Sequence, residues 1–420
     1  MPAGPAVSNI LSFEDARRVV EEHASLIHPN ATESVDLLAA SGRVLATPIV
    51  ADRELPPFSR STRDGYAVRS ADVSTVPVVL QLIGEIRAGE RIENIPGNLE
   101  KSQAVSIMTG APLPNSADAV VMVEYTSQDG NRVEIQRKAA DGENVVPRGA
   151  EAHAGGELVA RGVRLNEAAI ALAASTGKSR VEVYKRPRIA VLTTGDEIVN
   201  IDANPGPTQI RNSNSYSLAV QIQRAGGDPV ILPIAPDEAS ALHQLIEQGL
   251  KSDLLLLTGG VSMGRYDLVE QVLSELTAEF FFTGAKIQPG RPVVFGRCST
   301  SATASQNPAT YFFGLPGNPV STMVTFELFA RPIVEALAGM LPRRLLFVYA
   351  KLKSEVRVKP GLTRFLPAIL SVEFGDSIVS LVPWQGSGDV AATARSNCYI
   401  VIAPNRERIP VDEFVPIMVR

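Results

Sequence analysis

Cysteine is nearly absent from this 420-residue chain: only Cys298 and Cys398 occur. Two thiols so far apart in sequence build neither a disulfide framework nor a thiolate zinc site, and a reducing, intracellular setting is expected. Surplus basic charge is missing too, since 40 Lys and Arg stand against 45 Asp and Glu, for a net charge of -5. Such a chain has no general field for a nucleic-acid backbone, which excludes nonspecific nucleic-acid binding while leaving room for a local anion pocket. Long apolar runs are also lacking. None approaches the ~20 residues that cross a bilayer, and the start, MPAGPAVSN, has no basic segment followed by an apolar core. No membrane segment and a cytoplasmic location are therefore expected. Nor is there a P-loop lysine after a GxxxxG frame, a GxGxxG fingerprint, or a recognisable Ser-His-Asp constellation, and GVSMG misses the glycine spacing of a nucleophile elbow. An ATP-driven motor and a nicotinamide dehydrogenase are disfavoured.

What is present centres on Asp253 to Glu270, DLLLLTGGVSMGRYDLVE. Four leucines ending in threonine and two glycines describe a strand buried on both faces, as in the middle of a parallel sheet. Glycines past its carboxyl end turn backbone N–H groups into a concavity that suits an oxyanion, while Asp267 also fits a plain helix cap.

Phe13, Ala16, Val20, Ala24 and Ile27 recur at helical spacing after Ser12, a plausible N-cap with Asp15 one turn on. A second short helix is expected from about Val35 to Ala40, followed by extended RVLATPIVA. His23 and His28 read as surface histidines. From Asp52 the chain turns proline-bounded and β-rich, with strands in GYAV, VPVVLQLIGEI, AVSIMTG, DAVVMVEY and NRVEIQR, the last two joined through SQDGN. Helix returns with EAAIALAAS behind Asn166. From Arg188 strands alternate with helices, which means βαβ units and a parallel sheet. There the helices expected are SNSYSLAVQIQRAG, DEASALHQLIEQGL starting at Asp237, Leu268 to Leu276, and TMVTFELFARPIVEALAG. Beyond Arg343 short strands alternate to Val415.

The expected class is thus multidomain α/β. A helical linking domain covers 8–51 plus 147–186, an inserted β-rich domain 52–146, a central doubly wound parallel sheet 187–342, and a C-terminal β-barrel-like domain 343–420.

Loops TTGDE, IAPDE, TGGVSMGRYD and GLPGNP each follow an apolar run, and strand ends of a parallel sheet share one edge, where ligands bind. The glycine turns offer donors to an oxyanion, whereas Glu197, Asp237 and Asp267 bring negative charge to the same place. A cation between them resolves the conflict, and Mg²⁺ held by one or two carboxylates plus ligand phosphates is the usual form. Each acid also fits a helix cap, and the two roles are compatible.

In that order TTGDE, RNSNSYSL, TGGVSMGRYD, QPGRP and GLPGNPVS resemble the molybdopterin molybdenumtransferase family, which includes the E domain of gephyrin. SRSTRDGYAV, GEIRAGE, IMTGAPLPNSADAVVMVE and QGSG agree, so the resemblance covers nearly all of the chain from Phe13. It implies a magnesium-dependent insertion of molybdate into the dithiolene of adenylylated molybdopterin, with release of AMP. It also implies a homodimer in which the β-rich block of one subunit reaches the cleft of the other, and dealings with the adenylyltransferase and acceptor molybdoenzymes. Asp64 and Thr109 would face the cleft from the partner subunit. Glu197, Asp237 and Asp267 match the family's acidic positions and would hold the metal, with Asp267 foremost. Gly195, Gly259, Gly260 and Ser262 would hold phosphate or pterin oxygens, and Asn212, Ser213 and Asn214 would read pterin edges or phosphate. Pro316 and Pro319 would shape their loop, and Arg364 and Ser387 would hold molybdate. The chain departs from the pattern at Arg63, where Met is common, and at Gly284 and Gln288, where basic residues are common; Lys286, Arg291 or Arg63 would compensate. A gephyrin-like scaffold, a tungstate-inserting homologue and the nucleotide-processing competence-damage family are the rival readings.

Overall fold

The computed structural model describes residues 9–29, 31–260, 268–299 and 309–420. Helix α1, Phe13–Ser25, begins as expected. Ser12 accepts from the Asp15 amide at 3.0 Å and its hydroxyl donates to the Asp15 carboxylate at 2.7 Å, a reciprocal cap that satisfies one orphan N–H of the first turn. Ala16 and Val20 are buried in the largest core cluster, and the Phe13 ring meets Phe329 and Phe365 edge-on. This face corrects the reading of His23. Its ring stacks on Phe281 with centroids 3.9 Å apart, and Nδ1 lies 3.2 Å from the Tyr311 hydroxyl. His28 is exposed.

The helix expected from Val35 is not formed. Thr32–Asp36 is a strand paired antiparallel with Arg180–Tyr184, and only Leu37–Ala40 turn, as 3₁₀. A ladder partner about 150 residues away overrides a weak local preference. Ile49–Val50 pairs likewise with Glu157–Val159. Between these pairings lies α2, Glu167–Ser175, capped by Asn166.

Six strands form the sheet of the β-rich stretch, in the order 119–122, 65–68, 103–107, 78–86, 132–135, 126–129. Ala119–Met122 pairs with Gly65–Val68 and does not enter the hairpin around SQDGN, whose first arm is Thr126–Asp129. Gly65 is fixed by close approach: a Cβ there would lie 2.0 Å from the Val121 carbonyl oxygen.

The central sheet contains β1 (Arg188–Thr193), β2 (Asp228–Ile231), β3 (Leu254–Thr258), β4 (Ala278–Phe282), β5 (Val294–Ser299) and β6 (Ala309–Leu315), in spatial order 2-1-3-6-5-4. The first four in that row run parallel, and β5 is antiparallel to both of its neighbours. Alternation along β1 and β3 splits the core. Ile189, Val191, Leu254 and Leu256 face α3 (Asn214–Ala225), and Ala190, Leu192, Leu255 and Leu257 face α4 (Ala239–Gly249) and α5 (Leu268–Glu275). Period-two side chains of a strand covered on both faces dictate this division. Helix α4 starts two residues after Asp237. The long helix expected near the end of this stretch is broken into α6 (Pro319–Thr325), a π turn (Phe326–Ala330) and α7 (Arg331–Leu337). Pro332 has no N–H to donate, and a widened turn just before it absorbs the lost bond.

Beyond residue 343, Phe347–Leu352, Thr363–Glu373, Asp376–Leu381, Cys398–Ile402 and Phe414–Val419 close on themselves as a five-stranded barrel, because Thr363–Glu373 pairs with both Asp376–Leu381 and Cys398–Ile402. One helix interrupts the strands, α8 (Val390–Arg395), capped by Asp389. Ile287–Gln288 joins the barrel parallel to Thr363–Arg364. Among the described residues no helix is long and apolar enough to cross a membrane.

Candidate functional site

Strands β2, β1, β3 and β6 are parallel neighbours, so the segments after them leave the sheet at one edge. Backbone bonds tie these segments together. The Thr194 N–H donates to the Thr258 carbonyl at 3.0 Å, that of Ala235 to Thr193 at 2.8 Å, and that of Gly195 to Ala235 at 3.3 Å. Gly259 and Gly260 turn directly over Thr194, both with positive φ, 88° and 61°. A Cβ on Gly259 would lie 2.3 Å from the Thr194 carbonyl oxygen, and one on Gly260 2.7 Å from the Thr194 hydroxyl. Consecutive left-handed residues at a strand end make a nest of N–H donors.

The floor of this edge is a chain of buried hydroxyls and amides. Thr193 Oγ1 lies 2.8 Å from Ser215 Oγ, Asn212 Nδ2 donates to Ser215 Oγ at 3.0 Å, and the Ser215 amide donates to Asn212 Oδ1 at 3.1 Å. Asn212 is thus occupied inside the fold, whereas Ser213 is exposed. Asn214 binds two loops at once, its Nδ2 donating to Thr258 Oγ1 at 2.9 Å and to the Gly317 carbonyl at 2.7 Å. Pro316 is buried under Thr258, and Pro319 opens α6. Thr194 Oγ1 and Asn214 Oδ1 are buried with no hydrogen-bond partner among the described residues, although both side chains are more than nine-tenths buried. Buried polar atoms left open in this way carry a desolvation cost that a bound ligand can relieve.

The acids stand at the rim. Glu197 and Asp237 are exposed on adjacent loops, and the Asp237 amide donates to the Asp196 carboxylate at 3.1 Å. The Glu197 carboxylate folds back over Gly195, where a Cβ would come within 2.5 Å of it. Among the described residues no three His, Cys, Asp or Glu side chains gather into a metal-binding group. Asp267 and Ser262 lie outside the described residues.

The remaining candidates divide. The Val320 amide, in the first turn of α6, donates to the Ser387 carbonyl at 3.0 Å, which brings the QGSG loop to the GLPGNP segment. Arg364 stands opposite Gln288 in parallel register, and its guanidinium donates to the Lys359 carbonyl at 2.6 and 3.2 Å. Burial holds that guanidinium below its ordinary pKa. The Thr363 amide donates to the Lys286 carbonyl, and Lys286 and Arg291 are exposed. Asp64 and Thr109 are exposed partners of each other: the Thr109 amide and hydroxyl both donate to Asp64 Oδ1, at 2.6 and 2.8 Å. The two bonds, the amide first, hold that carboxyl below the usual carboxylate range. Among the described residues no hydrogen bond or ion pair joins either one to the strand-end loops of its own chain.

Thr193, Thr194, Thr258 and Ser215 were not singled out from sequence. The signal available was a hydroxyl residue closing each apolar run, in VLTT and LLLLT.

Three family models match the chain: "MoeA N-terminal region (domain I and II)" over residues 11–177, "Probable molybdopterin binding domain" over 190–336, and "MoeA C-terminal region (domain IV)" over 349–419. A molybdopterin molybdenumtransferase from Nostoc sp. is 40% identical over 314 residues, 74% of this chain and 70% of that protein. One from Bacillus subtilis is 33% identical over 381 residues, 88% and 86% of the two chains. The crystal structure of the molybdopterin biosynthesis MoeA protein from Pyrococcus horikoshii matches with a TM-score of 0.77 and 25% identity, over 98% of this chain and 100% of that one.

Proposed function

The chain belongs to the molybdopterin molybdenumtransferase family, an enzyme of molybdenum cofactor biosynthesis, and from that premise we propose that it places molybdate between the dithiolene sulfurs of adenylylated molybdopterin while AMP departs. The observation that carries the reading is the strand-end cleft, where the Gly259–Gly260 turn sits over Thr194 and the buried atoms Thr194 Oγ1 and Asn214 Oδ1 await partners.

In this reading the Gly259 and Gly260 amides bind phosphate oxygens, because oriented N–H groups stabilise an anion without reorganising. Asn214 Oδ1 accepts an N–H of the pterin edge and Thr194 Oγ1 completes the same contact surface. Ser213, exposed at the start of α3, is assigned to phosphate in this reading. Mg²⁺ fits the donor set in the form of one or two carboxylates with phosphate and water completing its shell, since Glu197 and Asp237 are hard oxygen donors on adjacent loops. Bound there, the ion would supply charge neutralisation for the leaving phosphate. Asp267 is assigned to the same set. Ser387, Arg364, Lys286 and Arg291 are assigned to molybdate, for which guanidinium, ammonium and hydroxyl groups suit a tetrahedral dianion. Asp64 and Thr109 act on the cleft of a second copy in a homodimer. The adenylyltransferase and the acceptor molybdoenzymes complete the set of partners, in the cytoplasm.

Reconstitution tests this directly: the full chain is supplied with adenylylated molybdopterin, Mg²⁺ and either molybdate or tungstate, and AMP is followed. Release that needs neither oxyanion nor Mg²⁺ would sink the assignment.

A further inference from the structure

A cavity of about 560 Å³ opens at the opposite end of α3 from the cleft, walled by α1, α3, α7 and the last residues of the barrel. Its lining holds seven arginines and two glutamates, in a chain whose net charge is -5. The glutamates are already engaged. Arg331 donates to Glu327 and Glu335 at 2.8 Å each, and Arg343 also pairs with Glu335. Arg17 is taken by Glu21 and the Leu328 carbonyl, both at 2.5 Å.

Four arginines remain without a carboxylate at ion-pair distance among the described residues. Arg164 donates to the Gly42 and Arg224 carbonyls, and Arg420 to the Thr393 and Ser396 carbonyls. The side chains of Arg224 and Arg344 make no hydrogen bond or ion pair at all among the described residues. The crowding is felt at Arg164, whose pKa is pulled below its ordinary value first by burial, against the attraction of Glu335, and then by Arg343 and Arg331. Like charges packed this closely are costly unless a counter-charge lies among them. Gln221, on the same wall, has its Oε1 buried without a partner among the described residues, an acceptor open to a ligand hydroxyl or N–H. Leu345, Leu346 and Pro332 add an apolar side.

We infer that this cavity is a second anion site, taking a small organic polyphosphate of nucleotide size. Guanidiniums recognise phosphate in bidentate fashion, the volume lies in the range of small-molecule pockets, and the apolar wall receives the organic remainder. The site is distinct from the strand-end cleft, because ten residues of α3 separate Asn214 from Arg224, about 15 Å at the helical rise.

The test is calorimetric titration of the full chain with pyrophosphate and with ADP, each without Mg²⁺. Saturable binding is expected, weakening as salt rises. The double variant Arg224→Gln/Arg344→Gln removes no internal bond, so its thermal unfolding should match that of the parent while its affinity falls by about tenfold or more. Lys101→Gln, an exposed cation of the β-rich stretch far from this cavity in the fold, should leave that affinity unchanged. Absence of saturable binding, or undiminished binding by a folded double variant, would overturn the inference. So would loss of self-association in the double variant together with no anion binding by the parent, which assigns the arginines to an interface between copies.

Discussion

Asn214 Nδ2 donates to Thr258 Oγ1 at 2.9 Å, and this bond fastens the first residue of α3 to the last residue of β3. The same amide reaches the Gly317 carbonyl at 2.7 Å, so one side chain holds three elements of the proposed cleft in register. Asn214→Ala should therefore destabilise the fold by about 1–3 kcal/mol in urea unfolding, the usual cost of stranding buried partners. AMP release should fall further than stability explains, because Oδ1 is lost with Nδ2.

Gly259 is held at a φ of 88° with the Thr194 carbonyl 2.3 Å from where a Cβ would stand. Gly259→Ala meets both the left-handed penalty of roughly 1–2 kcal/mol and a clash with backbone that cannot swing aside. A fall in thermal midpoint and loss of AMP release are expected. An alanine variant with parental midpoint and rate would show that the nest is not built this way.

The Asp64 carboxyl is held below its ordinary range by the amide of Thr109 first and its hydroxyl second. A depressed folded-state pKa means that the stabilisation is fully present above the unfolded value and is lost as pH falls through the folded one. Thr109→Val keeps the amide donor and removes the hydroxyl, so carbon-detected titration should show the Asp64 pKa rising toward the ordinary value. A pKa that stays put would remove the hydroxyl from the account.

Burial pushes the Cys298 thiol up to about 12 and the Cys398 thiol up to about 11. Both are then protonated at pH 8, and the thiolate is the reactive form. Ellman's reagent should find neither cysteine in the folded chain and both after denaturation. Rapid labelling of the native protein at that pH would contradict the burial of these residues.

The central sheet was readable because strands covered on both faces need no alternation: LLLLT can only be buried throughout, and glycines mark its end. The exposed strand Thr32–Asp36 was not readable, because its ladder partner, Arg180–Tyr184, is remote in sequence. His23 followed the same logic, since only packing reveals that Phe281 lies beneath its ring. Asn212 and Asn214 sit two positions apart in one motif, yet one is turned into the core network and the other bridges loops, a difference set by where the first turn of α3 begins.

By itself, the sequence determined the alternation of strand and helix, the glycine turns at the strand ends, and the ordered motifs that point to the family. These are local properties, written in periodicity and in positions only glycine tolerates. Tertiary structure alone decided which side chains meet. The open acceptor of Asn214, the hydroxyl of Thr194 beneath Gly260, and arginines drawn from residues 17 to 420 around one cavity come together only when the sheet closes and distant segments pack. Proximity between residues far apart in the chain is a consequence of the core and has no local signature.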